Sequence, residues 1–587
     1  MQQTLLVIRH VRIFDGVEII PQNTVVVVNG FITAVGEDIP PPEGAQVIDG
    51  SGQTLLPGLI DAHTHVWNAQ SLKQALMFGV TTEFDMFMSH RTMRSLKKRL
   101  AKNRGWDMAD LRSAGTLATA PGGHGTEYRL RVPTLQTVAE AQAFVDERIR
   151  EGSDYIKIVY DDGRATGSKQ PTISKEVMAA LVTAAHRRGK LAIVHTVSLQ
   201  EARDAIEAGA DGLAHVFADE MPDPEFGRFV AAHHAFVIPT LTVIESICEL
   251  PTGAPLVKDD RLAPYLPLSA ISALQRGFSF DREYPHHYAA AQEAIGQLKA
   301  AGVPLLAGTD ASNPGTAHGA SMHRELELLA QAGMTPTEAL AAATSVNAAL
   351  FGLQDRGRIA PGQRADLLLV RGDPTSDIQA TRAIAGVWKC GVPLERQAYR
   401  ASLEKRRLKL RQRAAPAGSQ AGLISDFEEG KPVARFGSRW SASTDKWARG
   451  HSKASCKVVP EGANGEKYSL FITGEVSPAI AYAWAGTAFY PGKFFWRAAN
   501  LSNKKGISFW AKGDGQRYRV MISAGSFQAI PATVTFVAGP HWQQHIFTFE
   551  QFGLSEVECL DVRFVAFVAG PQPGSFAFYI DHVALFS

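Results

Sequence analysis

The chain has 587 residues, more than one ordinary domain holds, so three or four folding units are expected. Hydrophobic residues at 45% and charged residues at 20% give a soluble globular composition and exclude a disordered chain. Lys+Arg 60 against Asp+Glu 58 leaves a formal charge of +2, which argues against a nucleic-acid footprint, and no apolar run reaches the ~20 residues that span a bilayer. Cys248, Cys390, Cys456 and Cys559 show no Cys-x-x-Cys spacing, so neither a thiolate zinc site nor a dense disulfide framework is expected. Cys456 and Cys559 share the C-terminal region and could pair in an oxidising compartment. The first ten residues lack the marks of a leader peptide, which makes the cytoplasm the expected location, or the periplasm or exterior for a chain whose leader has been removed.

Residues 1–57 read as short strands at 5–11, 24–28, 31–35 and 46–48, with Asn29-Gly30 a two-residue hairpin signal between β-branched runs. Four short strands bury little, so they need partners, and residues 365–370 and 384–389 supply candidates. Between these ends, apolar strands alternate with amphipathic helical stretches. Strands at 59–65, 80–85, 111–118, 155–159, 191–195, 212–216, 236–239 and 303–309 predict a (β/α)8 TIM barrel over residues 58–357. In such a barrel, chemistry is carried at the C-terminal ends of the strands. Residues 401–421 read as a basic helix followed by a flexible linker. From 422 to 587 the texture becomes aromatic-rich alternation with frequent turns, the signature of an all-β sandwich.

The residues with metal chemistry fall on those strand ends. Leu59-Ile60-Asp61-Ala62-His63-Thr64-His65 places two histidines at i and i+2, on one face of a strand, with Asp61 on the same side. Tyr155-Ile156-Lys157-Ile158-Val159 sets a lysine inside an apolar strand, where an unpaired ammonium is costly. His195 and His215 end two consecutive strand units, and Asp310 follows the eighth strand in Ala307-Gly308-Thr309-Asp310. Imidazole and carboxylate ligands suit zinc, with manganese, cobalt and nickel as alternatives. Around them, His124 lies in the glycine-rich stretch Gly122-Gly123-His124-Gly125, Tyr160 follows Lys157 by three residues, and His318 follows Asp310; all three are candidate substrate contacts. His323-Arg324-Glu325-Leu326-Glu327 has helical spacing, and its charges are expected at the surface.

Pro57-Gly58-Leu59-Ile60-Asp61-Ala62-His63-Thr64-His65, with the later lysine, histidines and aspartate in order, resembles the amidohydrolase superfamily of metal-dependent hydrolases over roughly residues 1–400. The resemblance implies a small composite β-sandwich from residues 1–57 and 358–400, with 359–367 its returning strand. It implies that His63, His65 and Asp310 hold one divalent metal ion, that His195 and His215 hold another, and that Lys157, carboxylated by carbon dioxide, bridges the two. Two cations sharing a water lower its pKa from 15.7 towards ~7, and Asp310 can take up the proton and deliver it to the leaving nitrogen. The nearest branch is imidazolonepropionase-like and Xaa-Pro dipeptidase-like.

The expectation is therefore hydrolysis of a C–N amide bond in a small carboxylate-bearing substrate, a dipeptide or N-acyl amino acid, by a homo-oligomer. The alternatives are a cyclic amide, ester or lactone on the same centre, or an inactive barrel beside a binding module. Asp426-Phe427-Glu428 and Tyr579-Ile580-Asp581-His582 make the C-terminal region look like a galactose-binding-like jelly roll of the complex-I intermediate-associated protein kind. A carbohydrate or surface ligand there would need exposed rings among Trp440, Trp447, Trp484, Trp496 and Trp542; core packing is the simpler expectation.

Overall fold

The computed structural model describes residues 4–587 except 103–105, 129, 168, 279–286, 414, 417, 449, 481–482, 495–496, 525–530 and 557. Two compact units are distinguished, one of Met1–Gly125, Leu130–Leu266 and Gly277–Tyr399, the other of Thr126–Arg129, Pro267–Arg276 and Arg400–Ser587.

The first unit opens with β1 (Leu5–Phe14), β2 (Ile19–Val28), β3 (Phe31–Gly36), β4 (Gln46–Asp49) and β5 (Gln53–Pro57). Asn29 and Gly30 both take positive φ, 52° and 87°, the turn that matches strand twist in a two-residue hairpin. Seven parallel strands follow: β6 (Leu59–Thr64), β7 (Val80–Asp85), β8 (Asp110–Ser113), β9 (Ile156–Val159), β10 (Ala192–His195), β11 (Gly212–Ala214) and β12 (Phe236–Ile238). Most of their residues are buried on both faces, as strands covered by helices require.

β6–β7–β8 form one sheet and β9–β10–β11–β12 another, and single bridges join the runs: Ala118 with Ile158, Val237 with Leu305, and Thr64 with Ala311. The pairing thus leaves β6 and returns to it. Two expected strands are shorter than the sequence suggests. The third ends at Ser113 because Gly115 turns the chain at φ 65°, and pairing resumes only at Ala118. The eighth has no ladder of its own: Pro304 has no N–H to give, although its carbonyl accepts from Val237 and Leu306 N donates to Val237 O. Ile60, Phe84, Tyr155, Ile193, Phe236 and Leu306, drawn from these strands, form one core cluster, where Phe351 stacks on Phe84 with centroids 3.9 Å apart. Each such buried side chain contributes about 1.5–3 kcal/mol.

The chain then returns as β13 (Leu367–Arg371), β14 (Ile384–Lys389) and β15 (Val392–Pro393) to complete the first sheet, whose order is β15-β14-β13-β5-β1-β2-β3, with β4 beside β1. Lys389, buried, pairs with Asp366 and Asp110 at 3.0 Å each and donates to Thr81 O at 2.8 Å. Arg364 and Arg356 close on Asp110 as well, so strands far apart in sequence meet in one ion cluster. The basic helix runs Arg396–Arg411, starting earlier than the sequence suggests. Arg396 anchors it by donating to Met77 O and Ile384 O and by lying 4.0 Å over the Tyr265 ring.

The second unit is a two-sheet sandwich. One sheet has order β18-β19-β26-β21-β24 with β16 against β26, the other β17-β20-β25-β22-β23. These are β16 (Leu423–Ser425), β17 (Ser441–Thr444), β18 (Lys453–Val459), β19 (Ser469–Val476), β20 (Ala485–Phe489), β21 (Gly506–Gly513), β22 (Arg517–Ala524), β23 (Ala532–Val537), β24 (Gln543–Thr548), β25 (Val562–Ala569) and β26 (Gly574–Phe586). Trp440 is buried among Phe427, Phe489 and Phe567 and donates its indole N–H to Ser425. Trp484 packs partly buried on the same core, and Trp542 is half-buried edge-on to Tyr579. Trp496 and the Trp447 side chain lie outside the described residues. Cys456 and Cys559 are both free, so the pairing that the sequence allowed is not made. Among the described residues no helix is long and apolar enough to cross a membrane.

Candidate metal centre

Each candidate ligand sits where a strand gives way to a loop. His63 lies in β6 and His65 just beyond it, and the β6–β7 register slips between Asp61 and Thr64. Gly308 passes so near that a Cβ there would stand 2.9 Å from His63 N, and only glycine admits that approach. Asp310 follows in a left-handed backbone at φ 52°, and His215, just past β11, sits at φ 83°. Such conformations cost about 1–3 kcal/mol in a non-glycine residue and persist where the surroundings enforce them.

The side chains converge. Asp310 Oδ1 lies 3.3 Å from His63 Nε2 and 3.0 Å from His65 Nε2. The rings of His63 and His215 are 4.7 Å apart, as are those of His215 and His195, and His124 stacks on His195 at 4.9 Å. Lys157, in β9, is 3% exposed. Burial, above all, holds His63 and His215 well below the usual imidazole range and brings His195 to about 4. These imidazoles are therefore neutral, the form that ligates metal. Burial also brings Lys157 down to about 7 against the opposing pull of Asp310 and Asp85.

His63 Nδ1, His65 Nδ1 and Lys157 Nζ are buried without a hydrogen-bond partner, and His63 Nε2, His195 Nε2 and Asp310 Oδ1 face their neighbours at 3.0–3.5 Å without an aligned hydrogen bond. One such atom costs about 1–3 kcal/mol, and a concentration of them is rare in a folded core. Imidazole, carboxylate and amine donors left in this state suit a divalent cation, and His63, His65 and Asp310 lie close enough to share one.

The amidohydrolase family model matches residues 54–394. The chain belongs to the amidohydrolase family. It is a hydrolase acting on carbon–nitrogen bonds, and the complex I intermediate-associated protein 30 model matches residues 426–557 of its sandwich. An imidazolonepropionase of Cereibacter sphaeroides is 26% identical over 404 residues, spanning 63% of this chain and 94% of that protein. A putative prolidase from Bifidobacterium longum superposes with a TM-score of 0.53 at 25% identity, over 69% of this chain and 98% of its own. A Xaa-Pro dipeptidase with bound methionine has the same fold, with a TM-score of 0.54 at 21% identity over 67% of this chain and all (100%) of its own.

The other expected site residues of this amidohydrolase divide. His124 stands half-buried against His195, beside the ligand set. Tyr160 donates its hydroxyl to Asp204 at 3.0 Å, and burial with that carboxylate pushes the phenol up to about 12. His318 pairs through Nδ1 with the buried Glu83 at 2.9 Å. Asp61 accepts from Thr309 and from the His63 amide, so it braces the ligands from behind. The 323–327 run is helical, but His323, Glu325 and Glu327 are buried, not superficial. Their partners are remote in sequence: Phe78 O for His323, the start of helix Leu241–Ile247 for Glu325, and Arg382 for Glu327.

Three features of the amidohydrolase site do not stand out from sequence. Asp161 Oδ2 faces His195 Nε2 at 3.5 Å; burial alone would raise its carboxyl, but His195 and His124 hold it low. Thr240 touches His215. Trp67 stacks beside His65 with centroids 6.3 Å apart and packs with Phe87, Leu117, Val159, Leu130 and Val132 into an apolar wall. Alternation along His63, His65 and Trp67 is the one signal that could have brought the tryptophan forward.

Proposed function

We propose that this amidohydrolase is a binuclear metal enzyme that cleaves the C–N amide bond of a small carboxylate-bearing substrate, a dipeptide or an N-acyl amino acid. The observation that carries this reading is the set of donor atoms on His63, His65, Lys157, His195 and Asp310 that are buried without an aligned hydrogen bond. His63, His65 and Asp310 would hold one cation, His195 and His215 the other, and Lys157, as the carbamate formed with carbon dioxide, would bridge them. Zinc suits these donors. Two such cations supply Lewis acidity and a water that ionises near neutral pH.

The chain's own residues do the rest. Asp310 accepts the proton that the attacking water gives up and returns it to the leaving nitrogen, so acid and amine form without net proton change. His124, which stacks on His195, would hydrogen-bond the substrate. Trp67 and its neighbours give the substrate's apolar portion a surface. The bridges that return the strand pairing to β6, and the solved structures of the same fold, support a closed (β/α)8 barrel over residues 58–357. The other proposed parts of the chain are the composite sandwich of 1–57 with 358–400, the basic helix and linker of 401–421, and the sandwich of 422–587.

The test is product mass spectrometry of zinc-loaded enzyme with pooled dipeptides, N-acyl amino acids, lactams, lactones and aryl esters, beside Asp310→Asn. Cleavage of the acyclic amides, at least ~10²-fold slower in the variant, is expected. A second reading, cyclic amide hydrolysis, is favoured by the near full-length alignment with imidazolonepropionase, and turnover of the lactams alone would select it.

A further inference from the structure

Thr240 directly follows Pro239 and opens the helix Leu241–Ile247. A threonine there ordinarily turns its hydroxyl onto a backbone amide of the first helical turn. Here the hydroxyl makes no such bond. The Glu325 carboxylate takes over the cap, accepting from Leu241 N and Thr242 N at 2.8 Å each. Thr240 is itself held fully buried in the left-handed backbone at φ 52°, a rare setting for a β-branched residue.

The hydroxyl that the helix forgoes lies 2.7 Å from His215 Nδ1 and 2.7 Å from Pro239 O. It has one proton, and a carbonyl can only accept, so that proton goes to Pro239 O. Thr240 Oγ1 must then accept from His215, and Nδ1 is the nitrogen that carries hydrogen. A neutral imidazole protonated there has its lone pair on Nε2.

We propose that Thr240 is a positioning residue that fixes His215 in the Nδ1–H tautomer, so that Nε2 is the nitrogen it presents to a cation shared with His195. The proposal rests on His215 being a ligand, as argued above, and adds what sets the ring's tautomer and aim. Partners of this kind typically change metal affinity by ~10–100-fold.

The test uses Thr240→Val, which keeps shape and loses the hydroxyl, and Thr240→Ser, which keeps the hydroxyl. In metal-free, histidine-¹⁵N-labelled protein, long-range ¹H–¹⁵N correlation spectra, with His215→Asn to assign the ring, should show Nδ1–H for wild type and Thr240→Ser. Thr240→Val should show a mixture or the Nε2–H form. A zinc competition titration should find one of two sites weakened ~10–100-fold in Thr240→Val and restored in Thr240→Ser. A thermal melt checks that the fold is kept, and Thr240→Ala takes the place of a valine variant that does not fold. An unchanged His215 tautomer together with unchanged zinc affinities in the hydroxyl-free variant would overturn the proposal. If wild type binds no zinc, the metal reading falls, while the tautomer spectra still decide the role of Thr240.

Discussion

Asp61 and Thr309 are joined twice, the aspartate accepting from the threonine amide at 3.0 Å and from its hydroxyl at 2.7 Å. The same carboxylate takes the His63 amide at 3.2 Å, so one buried side chain fixes the backbone on both sides of the cation site. Asp61→Ala orphans these donors, each worth about 1–3 kcal/mol. Denaturant unfolding should show a loss of about 2–5 kcal/mol and zinc analysis a lower occupancy. Thr309→Val, which removes one bond, should fall between.

Trp67 flanks His65 without being a candidate ligand, so it should affect substrate choice more than chemistry. In Trp67→Ala, kcat/KM for amides with bulky apolar groups should fall about 10–100-fold, mostly through KM, while small substrates change little. An equal fall in kcat across all substrates would contradict this assignment.

Lys389 holds Asp366 and Asp110 in a buried cluster. Burial would raise the Asp366 carboxyl, but Lys389 and then Arg364 keep it below its ordinary value. Lys389→Met leaves a buried carboxylate without its main counter-charge, and a loss of about 3–5 kcal/mol is expected in denaturant titration. Removing both partners, as Lys389→Met with Asp366→Leu, should recover part of it.

Burial, and then the Arg382 charge, brings His323 down to about 3, while its Nε2 donates to Phe78 O. The unfolded chain binds a proton that the folded one refuses between pH 6.5 and 3, so stability from this group is present near neutrality and lost as pH falls through that window. From pH 7 to pH 5 the loss is about 2 kcal/mol. In His323→Gln, the unfolding free energies from urea titrations at the two pH values should lie closer together by that amount.

The candidate ligand series was legible because strand ends with His, Lys or Asp after an apolar run are chemically improbable, and their order along the chain repeats a known pattern. What stayed hidden depended on partners remote in sequence. Nothing around Glu325 says that its carboxylate caps a helix starting at Leu241, and nothing around Tyr160 says that Asp204 claims its hydroxyl. His318 looked available because Glu83, its partner, is 235 residues away. The broken third and eighth strands follow from Gly115 and Pro304, visible in the sequence yet outweighed by the apolar runs around them.

β5 pairs along one side with β13, Thr54 opposite Val370. During synthesis at ~5–20 residues per second, that edge of β5 waits on the order of 15–60 s for its partner to leave the ribosome. An open edge is a template for the wrong chain. β5 is thus a place where chaperone capture or aggregation between nascent chains competes with folding.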